Sequence, residues 1–168
     1  MIQADEVHIH LLRLEGEALP GEDLYQFLSP EEAKHCGQRA EHAWGRLFLK
    51  KLAAFYLETG MGSLHFGSNP WGKPFLKESP CHFNLSHTQG LVACSFARQE
   101  IGIDVEKVDF EGRRSWPLLA RRFFSPKEQD YLSSRPPESR PMEFLKIFTR
   151  KEAYGKALGR AWSASLEN

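Results

Sequence analysis

The chain has 168 residues, 41% hydrophobic and 12% aromatic, which excludes disorder as the default and suits one compact domain or two small ones. Lys plus Arg and Asp plus Glu each total 22, so the net charge is zero and no global field exists to gather nucleic acid or an anionic membrane; any anion site must be local. Cys36, Cys81 and Cys94 are odd in number and lack disulfide or zinc spacing, and the acidic residues 1–6 precede no apolar run, so a cytoplasmic protein is expected.

Residues 7–14 alternate and predict a strand, with His8 and His10 on the face opposite Val7, Ile9 and Leu11. A solvated histidine face is favoured there over a metal-binding pair. After a turn at Pro20-Gly21, Ser29-Pro30-Glu31-Glu32 has the form of a helix start, with Ser29 as N-cap, Pro30 at N1 and Glu32 closing a capping box. Over 40–58 the residues Trp44, Leu47, Phe48, Leu52, Phe55 and Tyr56 recur at spacings of three and four, predicting a long helix that Gly60 and Gly62 end. Its other face carries Arg39, Arg46 and Lys50, with Lys34 before it. Such a basic row is either a solvated face or an anion-binding edge.

Short strands and turns follow. Leu64-His65-Phe66 precedes Asn69-Pro70-Trp71-Gly72-Lys73-Pro74, whose Pro and Gly enforce turns. Residues 82–87 then run through a turn at Thr88-Gln89-Gly90 into an apolar strand over 91–97. In Ile101-Gly102-Ile103-Asp104-Val105-Glu106-Lys107 aliphatics alternate with Gly, Asp and Glu. A strand is predicted that buries the aliphatics, puts both carboxylates on one face and pairs with 91–97. Arg113, Arg114, Arg121 and Arg122 form a locally basic stretch around Trp116-Pro117-Leu118-Leu119. Ser125-Pro126-Lys127-Glu128 repeats the earlier cap, and 142–158 reads as a helix that stops at Gly159 and carries Glu152 and Lys156 one turn apart on one face, next to Phe148 and Thr149.

Both halves thus run strand, Ser-Pro-capped helix, long amphipathic helix, and Ser29 and Ser125 stand 96 positions apart. The expected fold is α+β with two similar lobes, a pseudo-dimer over 1–99 and 100–168, each a small mostly antiparallel sheet packed on a long helix. Three candidate strands follow the first long helix, but only residues 160–168 follow the second, so by this template the second lobe is truncated and lacks C-terminal strands.

Asp104, Glu106 and Glu152 would form a pocket of three carboxylates if the segment and the helix meet. Two like charges about 4 Å apart at an effective dielectric near 20 repel by about 4 kcal/mol, so the pocket needs protons or a cation. Oxygen ligands with open positions suit Mg2+, and a magnesium site beside Lys151 or Lys156 suggests diphosphate chemistry, with Glu152 able to take a proton from an attacking hydroxyl. On spacing alone the alternative stands equally: acids facing solvent and an exposed Lys151-Glu152 pair.

Gly102-Ile103-Asp104-Val105-Glu106, followed by Phe148-Thr149-Arg150-Lys151-Glu152-Ala153-Tyr154-Gly155-Lys156, resembles the paired signature of 4′-phosphopantetheinyl transferases, in their larger, pseudo-dimeric surfactin-synthetase-activating type. Phe83-Asn84-Leu85-Ser86-His87 and Gly72-Lys73-Pro74 extend the likeness over nearly the whole chain from Ser29. The resemblance implies transfer of the phosphopantetheine arm of coenzyme A to a serine of an acyl or peptidyl carrier protein, with release of 3′,5′-ADP. It implies magnesium on Asp104, Glu106 and Glu152, with Glu152 as or beside the base and Lys156 stabilising charge on the phosphate. Ser86 and His87 would contact the 3′-phosphate, Lys73 and Pro74 the adenine end, Lys34 and Arg46 further phosphate, and Lys151 joins the coenzyme A set. Without the resemblance, His87 reads as a turn histidine at a strand end. The carriers of this class are acidic, which the arginine-rich stretch 113–122 would complement. A complete chain would be a monomer that binds neither nucleic acid nor membrane. The rival readings are a non-catalytic coenzyme A or carrier-binding module and another magnesium-dependent phosphotransferase or nuclease. Two departures stand out: Phe148 where tryptophan is common, and the early C-terminus.

Overall fold

The computed structural model describes residues 2–16, 18–37, 39–109 and 116–159. In chain order these form β1 (Val7–Arg13), α1 (Glu22–Tyr25), α2 (Pro30–Cys36), α3 (Ala40–Tyr56), a 3-10 turn over Met61–Ser63, β2 (Phe66–Ser68), β3 (Pro74–Leu76), β4 (His82–Thr88), β5 (Leu91–Ala97), α4 (Trp116–Phe123), α5 (Pro126–Ser133) and α6 (Arg140–Ala157). The fold is α+β, with an antiparallel sheet in the order β1-β5-β4 and a separate β2-β3 pair.

Both Ser-Pro starts are true capping boxes. Ser29 and Ser125 each accept from the N–H of the glutamate three residues on, and that glutamate accepts from the cap's own N–H. Each glutamate also receives a lysine from a long helix: Lys50 Nζ lies 2.7 Å from Glu32 Oε2, and Lys151 Nζ lies 2.8 Å from Glu128 Oε2. The same three-part device therefore pins α2 to α3 and α5 to α6.

The main core lies between α3 and one face of the sheet, where Leu49 and Ala53 meet Phe83, Cys94 and Phe96. Cys36, Cys81 and Cys94 are free and buried, and burial pushes the Cys94 thiol up to about 12. A second cluster joins α4, α5 and α6, with Phe144 stacked against Phe124 at 5.1 Å and against Phe148 at 5.6 Å. Phe148 thus packs against the second cluster through Phe144. The basic stretch around Trp116 is a helix with Arg121 and Arg122 exposed in its last turn; Arg113 and Arg114 lie outside the described residues.

Three expectations are corrected. The face of β1 is inverted: His8 pairs with Phe96 and His10 with Cys94, so both histidines turn toward α3, where each ring meets the Tyr56 hydroxyl at 2.7 Å. Val7, Ile9 and Leu11 instead face outward, at 57%, 61% and 63% exposure. Alternation sets which residues share a face but not which face is covered, and Tyr56 supplies the polar partner that lets imidazoles point inward.

The segment 101–109 is not a strand and does not pair with β5, because β1 and β4 already occupy both edges of that strand. It runs beside β4 in the same direction, held by side chains. The N–H groups of Ile103, Val105 and Lys107 donate to Asn84 Oδ1 (2.9 Å), Ser86 Oγ (3.3 Å) and Thr88 Oγ1 (3.1 Å). Matched steps of two residues on both sides mean the segment is as extended as the strand it follows.

Finally, no strand occurs among the described residues of 100–159, so within those residues the second half shares with the first its helix device and no sheet. The expected lack of C-terminal strands concerns residues 160–168, which lie outside the described residues. No helix among the described residues is long and apolar enough to cross a membrane.

Candidate active site

Asn84, Ser86 and Thr88 alternate with Phe83, Leu85 and His87 along β4, so when Phe83 enters the core against α3 the polar row projects from the opposite face. That row carries the segment 101–109, and α6 packs over the segment. The approach is closest at Gly102, where a Cβ would stand 1.9 Å from Ala153 O and 2.5 Å from Ala157 N. Only glycine fits, and its neighbours Asp104 and Glu106 turn the same way, toward α6.

Asp104 is the centre of the resulting cluster, its side chain 7% exposed. Its Oδ1 accepts from Lys156 Nζ at 2.7 Å and from Ser86 Oγ at 3.0 Å, and Lys156 Nζ also donates to Ser86 Oγ at 3.0 Å. The other oxygen, Oδ2, is buried and makes no hydrogen bond among the described residues. An unsatisfied carboxylate oxygen is costly to bury, and a donor or a cation at that oxygen would offset the cost.

One turn before Lys156, burial pushes the Glu152 carboxyl above the usual carboxylate range; Asp104 adds to the rise, Lys156 opposes it, and Glu106 adds further. The three acids therefore share one field. Among the described residues, however, no three His, Cys, Asp or Glu side chains close into a group that could hold a metal unaided. Any cation there needs oxygens from a ligand or water.

His87 extends the site toward α3. Its ring lies 4.3 Å from that of His42, and burial holds its imidazole below the ordinary histidine value, with Lys156 adding to the effect. His42, Arg46, Pro74 and His87 line a cavity of about 180 Å3, and Arg46 and Pro74 also border a neighbouring one of about 410 Å3. Arg46 thus offers a guanidinium to both spaces.

The structure brings together Asp104, Glu106, Glu152, Lys156 and Ser86, with His87, Arg46 and Pro74 adjoining. Of the other three lysines, Lys73 shares with Pro74 the lining of a cavity of about 460 Å3, and the ammonium groups of Lys73 and Lys151 are committed to protein partners. Lys34 is exposed on α2 and borders neither cavity. The Lys73 ammonium is bound to Glu100, Ile101 O and Ala157 O. That of Lys151 is bound to both carboxylate oxygens of Glu128 and sits 5.9 Å from the Phe124 ring centroid. Sequence reasoning passed over Asn84, Gly102 as a contact point, His42 and Asn69. The polar row at 84, 86 and 88 inside an otherwise apolar hairpin was the available signal for the first.

A family model described as the 4′-phosphopantetheinyl transferase superfamily matches residues 100–168. The chain is 36% identical to the 4′-phosphopantetheinyl transferase HetI of Nostoc sp., an alignment covering 93% of this chain and 70% of HetI. It is 28% identical to the 4′-phosphopantetheinyl transferase Sfp of Bacillus subtilis, over 88% of this chain and 67% of Sfp. It is 31% identical to the 4′-phosphopantetheinyl transferase gsp of Aneurinibacillus migulanus, over 69% of this chain and 47% of that protein. The matched regions thus span between about half and about seven tenths of these relatives.

Proposed function

Because the chain belongs to the 4′-phosphopantetheinyl transferase superfamily, we infer that it transfers the 4′-phosphopantetheine arm of coenzyme A to a serine of an acyl or peptidyl carrier protein. The observation that carries this reading to particular residues is the buried Asp104, its Oδ2 unpartnered among the described residues and its Oδ1 held by Lys156 of the helix that also bears Glu152. In the transfer a serine Oγ–P bond forms, the P–O bond to 3′,5′-ADP breaks with its electron pair on the leaving oxygen, and the serine proton passes to a base.

Glu152 suits the base. Its raised affinity for a proton, caused first by burial and then by Asp104, moves it toward the operating pH, where general-base catalysis is worth about a hundred- to ten-thousand-fold. Lys156 brings a positive charge beside Asp104 and can meet negative charge building on the phosphate. Arg46 and His87 border the cavities best suited to the phosphate-rich end of coenzyme A, with Pro74 at the adenine end.

All three acids offer hard oxygen donors, the chemistry that magnesium takes. The Asp104 oxygen that is buried and without a partner among the described residues shares a field with two further carboxylates, and a cation or a shared proton would stabilise such a set. Asp104, Glu106 and Glu152 would hold the ion, which when bound would neutralise charge on the coenzyme A diphosphate. The division into lobes 1–99 and 100–168 is supported by the two separate hydrophobic clusters. A cytoplasmic location goes with a coenzyme A substrate and with three free buried thiols.

The test is to incubate the protein with coenzyme A, magnesium and an apo-carrier protein and to read the mass of the carrier. Gain of the phosphopantetheine arm, lost on chelation and restored by magnesium, is the expected result. Coenzyme A binding without transfer would replace this reading with that of a binding module.

A further inference from the structure

The turn at 69–73 grips the C-terminal end of α6 with two side chains. Lys73 Nζ donates to Ala157 O at 3.1 Å, to Ile101 O at 3.2 Å and to Glu100 Oε2 at 2.6 Å. Asn69 Nδ2 donates to Gly159 O at 2.8 Å, while its Oδ1 accepts the N–H of Trp71 at 3.0 Å and of Lys73 at 2.8 Å, fixing the turn itself. The fit is close: Gly159 has φ +70°, and a Cβ there would lie 2.6 Å from Asn69 Nδ2. The last carbonyls of a helix lack donors within it and carry the negative end of its dipole, so an ammonium and an amide are the groups such an end requires.

We propose, building on the transferase reading above, that Lys73 and Asn69 are positioning residues for the transfer reaction rather than side-chain ligands of coenzyme A. Lys73 bridges the two elements that carry the acids. It binds the start of the segment at Ile101, three residues before Asp104, and the end of α6 at Ala157, one residue after Lys156. Its bonds set how far α6 slides along the segment, and so how Glu152 and Lys156 face Asp104. The same turn leads directly into Pro74, which borders the cavity of Arg46 and His87, so a ligand seated there would adjoin the turn that holds α6.

The experiment compares Lys73→Met, Lys73→Arg and Asn69→Ala in steady-state transfer and in hydrogen exchange of α6. Misplacement of reacting groups by about 1 Å costs about a hundredfold, so Lys73→Met is expected to lower kcat by about ten- to a hundredfold. Because the ammonium holds protein and not ligand, KM for coenzyme A should stay within about twofold. Lys73→Arg, which keeps a cation able to reach the carbonyls, should recover most of kcat. The amides of Leu158 and Gly159, bonded to Tyr154 O and Lys156 O, should exchange faster in the Met and Ala variants.

A raised coenzyme A KM with unchanged kcat would overturn the proposal, as would a fall in kcat without faster exchange in the last turn of α6. If Lys73→Met fails to fold, Asn69→Ala removes the clamp bond to Gly159 O and the two bonds that fix the turn, without changing any charge, and carries the same test. Exchange does not depend on transfer: if the unaltered protein transfers nothing, the transferase reading fails while the clamp is still judged on exchange alone.

Discussion

Gly102 and Ala153 approach so closely that a Cβ on the glycine would lie 1.9 Å from the alanine carbonyl oxygen. The obstacles are backbone atoms of α6, which cannot rotate aside as a side chain can. The distance between the acids of the segment and the residues of α6 is therefore set by a missing methyl group.

Gly102→Ala should accordingly force the two elements apart. Overpacking of this kind costs about 1–3 kcal/mol, and the displacement is expected to cut transfer about a hundredfold by drawing Lys156 away from Asp104. Urea unfolding and transfer rates check it together; a stable variant with undiminished transfer would show that the close approach does not set the reaction geometry.

Glu152→Gln should leave coenzyme A binding largely intact and collapse transfer by about a hundredfold or more. It also carries a stability signature. Burial and Asp104 raise the folded Glu152 value, so the folded form holds this proton more tightly than the unfolded one. The stability tied to the group is complete below the unfolded value of about 4.3 and is lost as pH rises through the higher folded value. Without divalent cation, the glutamine variant should be the more stable protein at neutral pH, with the gap closing in acid; denaturant midpoints across pH report it.

Reversal of charge at Arg121 and Arg122 addresses the carrier. Both are exposed in the last turn of α4, where Leu118 is 67% exposed beside them. The double change to Glu is expected to raise KM for an acidic carrier and steepen the loss at low salt, leaving coenzyme A affinity unmoved. A fall in coenzyme A affinity would remove the carrier role from this helix.

Lys50→Met tests the first capping device. Lys50 is 8% exposed and donates to Phe27 O at 2.6 Å and Glu32 Oε2 at 2.7 Å. Burial opposes ionisation of Glu32, but Lys50 and the Ser29 N–H outweigh it and hold the carboxyl below the usual range. The stability so gained is present above the unfolded value and lost as pH falls through the folded one. The variant should lose about 1.5–3 kcal/mol at neutral pH and less in acid, measured by urea unfolding at each pH.

The local signals in the sequence were reliable where local chemistry decides. Ser29 and Ser125 cap helices because the partner glutamate lies within one turn of the same chain, and the β4-β5 hairpin follows from apolar runs around a Gly turn. Distant partners were not legible. Nothing near Ile101 reveals that both edges of β5 are taken, and nothing near His8 and His10 reveals the Tyr56 hydroxyl 46 to 48 positions away. The same holds in the site. Spacing alone left Asp104, Glu152 and Lys156 open between a shared pocket and a solvated face, and only the family resemblance joined them, whereas the commitments of Lys73 to Ala157 O and of Lys151 to Glu128 depend on the packing of whole helices.

The three side-chain bonds between β4 and the segment keep one offset, 19 positions, from Asn84 and Ile103 through Ser86 and Val105 to Thr88 and Lys107. This makes the stretch between them a matter of parity. A single-residue insertion or deletion between β5 and Ile101 would exchange the two rows, presenting Ile103 and Val105 to α6 and turning Asp104 and Glu106 into the sheet. A change of two residues would keep the acids on the correct side and merely move them one notch along the polar row. Length variation at this joint is thus tolerable in odd steps only where the exposed turn 98–100 absorbs it and leaves the three bonds in register.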